Sequence, residues 1–235
     1  MFAALTLTVG AWLAPGSLLV TAFVYTLTAC VGGTVTYHRL LSHRSFKAPR
    51  WFEVLGILIG VYGLFGTPLN WVAIHRQHHS HTDCPTDPHS PLYQPWWQVQ
   101  WLSLLAKPNL RYTQDLISDK FLVWIQRNYL KIHSVIIISW ISLKPSYLLY
   151  AYLWPSFLVW NFASMTNTVC HKFGYRNFET LDSSKNVWWL SILVFGEGWH
   201  NNHHAHPSRP SFSKKWWEID LGALIIRCVA IGSEE

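Results

Sequence analysis

Charge is what this 235-residue chain has least of. Asp, Glu, Lys and Arg make up 13% of it, against about a quarter of a typical soluble domain. The first 37 residues contain none of the four. So little charge excludes a disordered chain and a solvated coiled coil. A signal peptide would carry a basic start and a shorter apolar stretch, so the N-terminus reads as a membrane anchor. Cysteines are also sparse. Cys30, Cys84, Cys170 and Cys228 lie far apart, with no CxxC pair. That argues against a disulfide framework or a cysteine zinc site, and for free thiols in a reducing compartment. No basic run exceeds Lys214-Lys215. The net charge of +6 is therefore no footprint of nucleic acid. It matches the basic excess on the cytoplasmic side of a membrane protein.

Hydrophobic residues, in contrast, are half of the chain, and 15 are Trp. A mean hydropathy of +0.14 is too low for a bundle wholly inside a bilayer, so a substantial polar part is expected. The length suits one domain, residues 1–235.

Pro15-Gly16 divides the N-terminal apolar stretch. Residues 17–37 number 21, about 31 Å of helix, which matches a bilayer core of ~30 Å. Residues 1–14 are short for a span, and complete an expected membrane hairpin at 1–37. Residues 54–74 are uncharged, but Gly56, Gly60, Gly63, Gly66 and Pro68 make a poor continuous helix. Residues 132–143 and 146–170 form apolar arms on either side of Lys144-Pro145. If the histidine clusters at 38–43, 75–79 and 200–204 form one site, they share one side of the membrane. An even number of crossings must then separate them. Residues 54–74 become a buried or interfacial element. Residues 132–170 become a hairpin whose short first arm either extends back toward Trp124 or thins the bilayer locally. This topology puts 17 of the 18 Lys and Arg on the histidine side, leaving Lys144 at the opposite tip. The histidine side, residues 38–131 and 171–235, is then cytoplasmic. Trp96, Trp97, Trp101, Trp188, Trp189, Trp216 and Trp217 suit an interfacial belt.

The 13 histidines carry the chemistry. Three clusters stand out: His38-Arg-Leu-Leu-Ser-His43, His75-Arg-Gln-His78-His79 and His200-Asn-Asn-His203-His204. About 0.04 copies of HxxHH are expected by chance at this histidine frequency, and two are present. On a helix, positions i, i+3 and i+4 share one face, so three imidazoles converge. His38 and His43 suit the end of a span, with the second on the following turn. Eight clustered imidazoles exceed the needs of one ion and suggest two metals. Neutral imidazole suits iron, zinc, copper and nickel, while zinc sites usually stop at three or four ligands. Two histidine-rich metals at a membrane surface point to redox iron and dioxygen. Haem ligation by single histidines would give no reason for HxxHH twice. His89, His133 and His206 read as surface or interfacial residues. His81 reads the same way, with a supporting role as the alternative.

The boxes HxxxxH, HxxHH and HxxHH resemble those of the membrane-bound fatty acyl desaturases. The wording His38-Arg-Leu-Leu-Ser-His43-Arg-Ser-Phe46, Asp87-Pro-His-Ser-Pro91, Gly196-Glu-Gly-Trp-His-Asn-Asn-His-His204 and Trp216-Trp-Glu-Ile-Asp220 is similar to the delta-9 type. That type comprises cyanobacterial, plant and stearoyl-CoA enzymes, and the resemblance runs from about Ser17 to about Ile231. It implies an all-α integral membrane protein, with four membrane helices under a cytosolic helical cap. It implies two non-haem irons on nine histidines, with an Asn contributing through water. The ninth histidine carries over to His171 and the Asn to Asn167, in Asn167-Thr-Val-Cys-His171. The implied reaction places a cis double bond in a saturated 16- or 18-carbon acyl chain, with dioxygen and two electrons. The acyl carrier is a glycerolipid or a CoA thioester; the compact form is closer to the acyl-lipid enzymes. A separate donor such as ferredoxin or a small cytochrome supplies electrons, since the length leaves no room for a fused cytochrome domain.

Within that frame, Asp83, Asp87 and Glu197 are the nearest carboxylates to orient the imidazoles. Arg39, Arg44 and Arg76 would pair with those carboxylates or with a head-group phosphate. Thr34, Tyr37 and Trp71 are expected along the acyl tunnel. The chain departs from the family in its short residues 1–14, its short 132–143 arm, and Thr67-Pro-Leu-Asn70-Trp71, where relatives often have Asp before Pro. Di-iron fatty acyl or carotenoid hydroxylases share such boxes and form the alternative enzyme reading. A haem or metal-binding electron-transfer protein is the alternative outside enzymes.

Overall fold

The computed structural model describes residues 17–232. The expected first arm at 1–14 lies outside the described residues.

The first helix, α1 (Ser17–Ser42), starts as an α-helix over Ser17–Thr26 and continues as a π-helix over Leu27–Ser42. It runs past the expected end at Tyr37 and takes His38 with it. A π-helix bonds residue i+5 back to residue i. The His43 amide donates to the His38 carbonyl at 3.1 Å. The five-residue spacing of the first box is therefore one π-turn, and both imidazoles face the same way.

Helix α2 (Arg50–Tyr62) lies against α1 backbone to backbone. A Cβ on Gly32 would stand 2.6 Å from the Gly60 nitrogen, and one on Gly56 would stand 2.0 Å from Thr36 Oγ1. The glycines that weaken residues 54–74 as a span let the two helices meet. After Tyr62 the chain bends through Leu64 (φ 59°) and Gly66 (φ 88°). Helix α3 (Pro68–Ser80) follows, with Pro in its first turn and Thr67 as N-cap, whose Oγ1 accepts from the Asn70 amide at 3.4 Å. Residues 54–74 are thus two helices around a bend, and α3 carries the second box.

Helix α4 (Trp96–Leu102) is short. Helix α5 (Lys120–Leu143) is capped by Asp119, whose carboxylate accepts from the Phe121 amide at 2.8 Å. Its 24 residues double the 12 of the 132–143 arm and pass Trp124. Arg127 and Lys131 hid this length from hydropathy, because they lie on the exposed side while Leu122 and Ile125 face the core. After Lys144 the chain is helical again over Pro145–Tyr147 and Leu148–Leu153, and then as α6 (Trp154–Val169). Pro155 sits in the first turn of α6, where proline is tolerated. Short helices α7 (Trp188–Leu193) and α8 (His200–Ala205) follow. Helix α9 (Leu221–Val229) is capped by Asp220 and packs on α1.

Among the described residues there is no strand, only isolated bridges joining Tyr175 to Asn186 and Asn186 to Trp199. The main core joins Tyr37 and Leu41 of α1, Ile57 and Val61 of α2, Leu69 and Val72 of α3, Leu122 and Ile125 of α5, and Val159 of α6. By length and composition, α1 is the one helix among the described residues long and apolar enough to cross a membrane. The seven expected belt tryptophans are all exposed. All four cysteines are free.

Candidate metal centre

Four segments converge: the end of α1, the second half of α3, the segment after α6, and α8. Between them they bring nine imidazoles into two groups. His38, His43, His75, His79 and His203 form one, and His78, His171, His200 and His204 form the other. Within each group the ligand atoms lie within 4.8 Å of one another, so each could hold a metal ion. The groups adjoin, since His79 and His204 stack at 4.6 Å between ring centroids. HxxHH on a helix explains the sharing. In α3, His75 and His79 face the first group while His78 faces the second. In α8, His203 goes to the first and His200 and His204 to the second. The adjacent pair within each box serves two centres.

Carboxylates decide which nitrogen of each ring faces inward. His78 Nδ1 lies 2.9 Å from Asp87, and His171 Nδ1 lies 3.3 Å from Asp83. His204 Nδ1 lies 3.0 Å from Asp182, and His38 Nδ1 is paired with Glu197. Each Nδ1–H donates outward, so each Nε2 is left as a bare lone pair. Two of them face a further imidazole across the site. His38 Nε2 stands 3.1 Å from His203 Nε2, and His171 Nε2 stands 3.1 Å from His200 Nε2. Nε2 of His78 and of His204 are buried and without a partner among the described residues. Acceptor nitrogens converging in a buried space suit a cation, so the donor set fits two metals.

The electrostatics agree. Burial pushes His75, His78, His79, His200 and His203 well below the ordinary imidazole value, and neighbouring histidines add to it. Neutral imidazole is the form that binds metal. Burial alone would raise Asp83 and Asp182. Hydrogen bonds from His171, Ser183 and Ser90 outweigh it at Asp83, and those from His204 and Ser184 do so at Asp182. Both carboxyls are held below the usual range. Glu197 is likewise held down by His38 and Arg39 against its burial.

Arg39, wholly buried, donates to Glu197 at 3.2 Å and to Asp220 at 2.8 Å, and lies 3.8 Å from the Phe212 ring centre. Arg76 pairs with Asp115 at 2.7 Å and donates to the carbonyls of Ser42 and Leu41. Arg44 pairs with the same Asp115. Of the three arginines, only Arg39 meets one of the expected carboxylates.

Asn167, near the end of α6, lines a cavity together with His200. That cavity has a volume of about 140 Å³. It runs past His38, His75 and His200, and past Tyr25, Ala29, Phe65, Val159 and Ala163. Thr34 and Trp71 line it, and Trp71 stacks on His75 at 4.9 Å. Tyr37 does not line it. Its ring packs against Phe65 and Trp71, and its hydroxyl donates to the Gly66 carbonyl at 3.2 Å. The π-helix rotates Tyr37 behind the wall that α-helical spacing would have put it on.

Sequence reasoning missed two residues here. Asp182 lies 22 positions before its partner His204, so no spacing rule reaches it. His89, expected at the surface, is 4% exposed and stacks on His78 at 4.3 Å. It lies near His78 and Asp87. Those three make no third centre, because Asp87 already accepts from His78 and from the amides of Asp83 and His89. His81 contacts Gln77 and Tyr112, and His133 pairs with Tyr152 at 2.5 Å, both outside the two groups.

The model of the fatty acid desaturase family matches residues 10–220. The sn-1 stearoyl-lipid 9-desaturase of Synechocystis sp. is 35% identical, over 88% of this chain and 67% of its own length. The sn-2 palmitoyl-lipid 9-desaturase of Nostoc sp. is 37% identical, over 89% and 76%. Delta-9 acyl-lipid desaturase 1 of Arabidopsis thaliana is 38% identical, over 92% and 72%.

Proposed function

The chain belongs to the fatty acid desaturase family, and from that premise we propose that it is a delta-9 acyl-lipid desaturase. It acts on saturated chains of the stearoyl and palmitoyl kind that its relatives' names carry. The overall reaction is R–CH2–CH2–R′ + O2 + 2 e− + 2 H+ → R–CH=CH–R′ + 2 H2O. The observation that carries the reading is the pair of inward-facing imidazole groups opening on a largely apolar cavity.

One iron would be held by His38, His43, His75, His79 and His203. The other would be held by His78, His171, His200 and His204, with Asn167 reaching it through water. When bound, the irons supply the reduction of dioxygen that breaks unactivated C–H bonds, chemistry no side chain performs. The chain's own residues do the rest. Asp83, Asp87, Asp182 and Glu197 fix the ring orientations. Arg39 holds Glu197 in place against His38. Ala29, Val159 and Ala163 offer the acyl chain a wall without hydrogen-bonding groups, which keeps bulk water from the reacting carbons. Thr34 and Trp71 shape that wall near the metals.

The membrane arrangement follows the parity argument. Helix α1 crosses the membrane, and α5 with α6 makes a hairpin through it. Exposed Leu130, Val135, Ile138, Ile141 and Leu143 give α5 a lipid-facing side. The histidine groups lie on the cytoplasmic side, where a separate ferredoxin or small cytochrome delivers electrons.

Expression in a host lacking delta-9 activity, followed by gas chromatography–mass spectrometry of fatty acid methyl esters, tests the reading. New cis-9 monoenes are expected, and the His78→Ala variant should form none. Hydroxylated chains instead would move the protein to the hydroxylase branch.

A further inference from the structure

The hydrocarbon tail of an acyl group has no donor or acceptor, yet the cavity proposed to hold one is lined by polar atoms without a partner among the described residues. Both ring nitrogens of His89 are buried and unpartnered among the described residues. So are the hydroxyls of Ser103, just after α4, and Ser164, on α6. The three residues are 4%, 4% and 1% exposed, and all line this one cavity. They come from three separate segments, and α4 packs directly on α6. His200 lines the same cavity, and its Nδ1 has no partner either. In the second histidine group it is the ring without a carboxylate, since Asp83, Asp87 and Asp182 serve the other three.

Protein groups close to His89 are already committed. Asp87 accepts from His78 and two amides, and Asp83 accepts from Ser90 and Ser183. A neutral imidazole presents one donor and one acceptor, and a hydroxyl presents both. Water carries both donors and acceptors, so it suits each of these groups. Apolar cavities stay dry, whereas a pocket offering two to four polar partners holds water.

We propose that His89, Ser103 and Ser164 form a water-binding recess in the wall of the acyl cavity beside the second histidine group. Resting on the desaturase reading, the recess receives the water made there. Both oxygen atoms of dioxygen leave as water, two molecules per double bond. An outlet beside the metals keeps that water off the apolar wall and the reacting carbons.

Two measurements test this. The first is a cryo-EM structure of the iron-loaded protein in lipid nanodiscs, at a resolution that shows ordered water. Density for water is expected within hydrogen-bond distance of at least two of His89, Ser103 and Ser164. Acyl density filling the recess, a lipid ester oxygen bound there, or side chains turned to bond one another would overturn the assignment. The second is the Ser103→Ala/Ser164→Ala double variant, assayed for iron and for dioxygen consumed per double bond. Iron should stay at the wild-type level while that ratio rises about threefold, through unproductive turnover. Unchanged coupling would overturn the outlet role. If wild-type protein binds iron but forms no double bond, the desaturase reading fails. The map then still decides whether the recess holds water.

Discussion

At His78 the Asp87 carboxylate accepts a hydrogen bond from Nδ1–H and leaves Nε2 for the interior. Asn in place of Asp87 would present an amide that can hydrogen-bond either ring tautomer. Loss of such a partner typically costs 10- to 100-fold in metal affinity. Asp87→Asn should therefore lower iron per chain, read by plasma mass spectrometry after dilution. Glu53→Gln, changed at the exposed Arg50 pair, should leave it unaltered. The buried imidazoles also set a pH dependence. Their values are pushed below the ordinary one, so below about pH 6.5 the unfolded chain binds more protons than the folded chain. Stability of the metal-free protein is then complete near pH 7.5 and falls as pH drops toward 5. The depressed carboxyls of Asp83 and Asp182 extend the loss below about pH 4. Thermal unfolding in detergent across this range checks the sign; a midpoint that rises on acidification would contradict neutral imidazoles.

At the level of elements, the first box depends on a π-helix pressed against glycine. The carbonyl of His38 and the amide of His43 close a π-turn, while Gly32 meets the backbone of Gly60. Backbone cannot yield as a flexible side chain does. Gly32→Ala should then destabilise by about 1–3 kcal/mol, the usual range for overpacking. The shift moves α1, so iron bound by the first histidine group should fall with the melting temperature. A variant with normal melting and normal iron would show that the contact is slack. The glycine spacing in residues 54–74 was legible in the sequence, but its meaning was not. Helix propensity sees a weak helix, and only the partner helix shows that small residues are needed there.

At the level of the whole molecule, all nine histidines come together only if an even number of crossings separates the boxes. Cys84 and Cys228 are exposed, and the proposed arrangement puts them on the histidine side. Lys144 sits at the turn between α5 and the helical segment that follows. In intact spheroplasts, a membrane-impermeant maleimide should label a Lys144→Cys variant and spare the native cysteines. Lysis should expose Cys84 and Cys228. Labelling of Cys84 before lysis would reverse the proposed orientation.

The sequence by itself determined the class of protein and eight of the nine imidazoles, because box spacing is a local property of a helix. It also pointed to Asp83, Asp87 and Glu197, which lie within a few residues of a box. Family wording was needed to raise His171. Tertiary structure decided how the nine divide into five and four, since that depends on how α1, α3 and α8 face one another. It supplied Asp182 from a loop 22 positions before His204. It moved Tyr37 behind the cavity wall, through a helix type that composition does not announce. It also buried His89 against His78. A side chain's partners across the fold have no signature in local spacing, and the carboxylates and recess of this site are built from such partners.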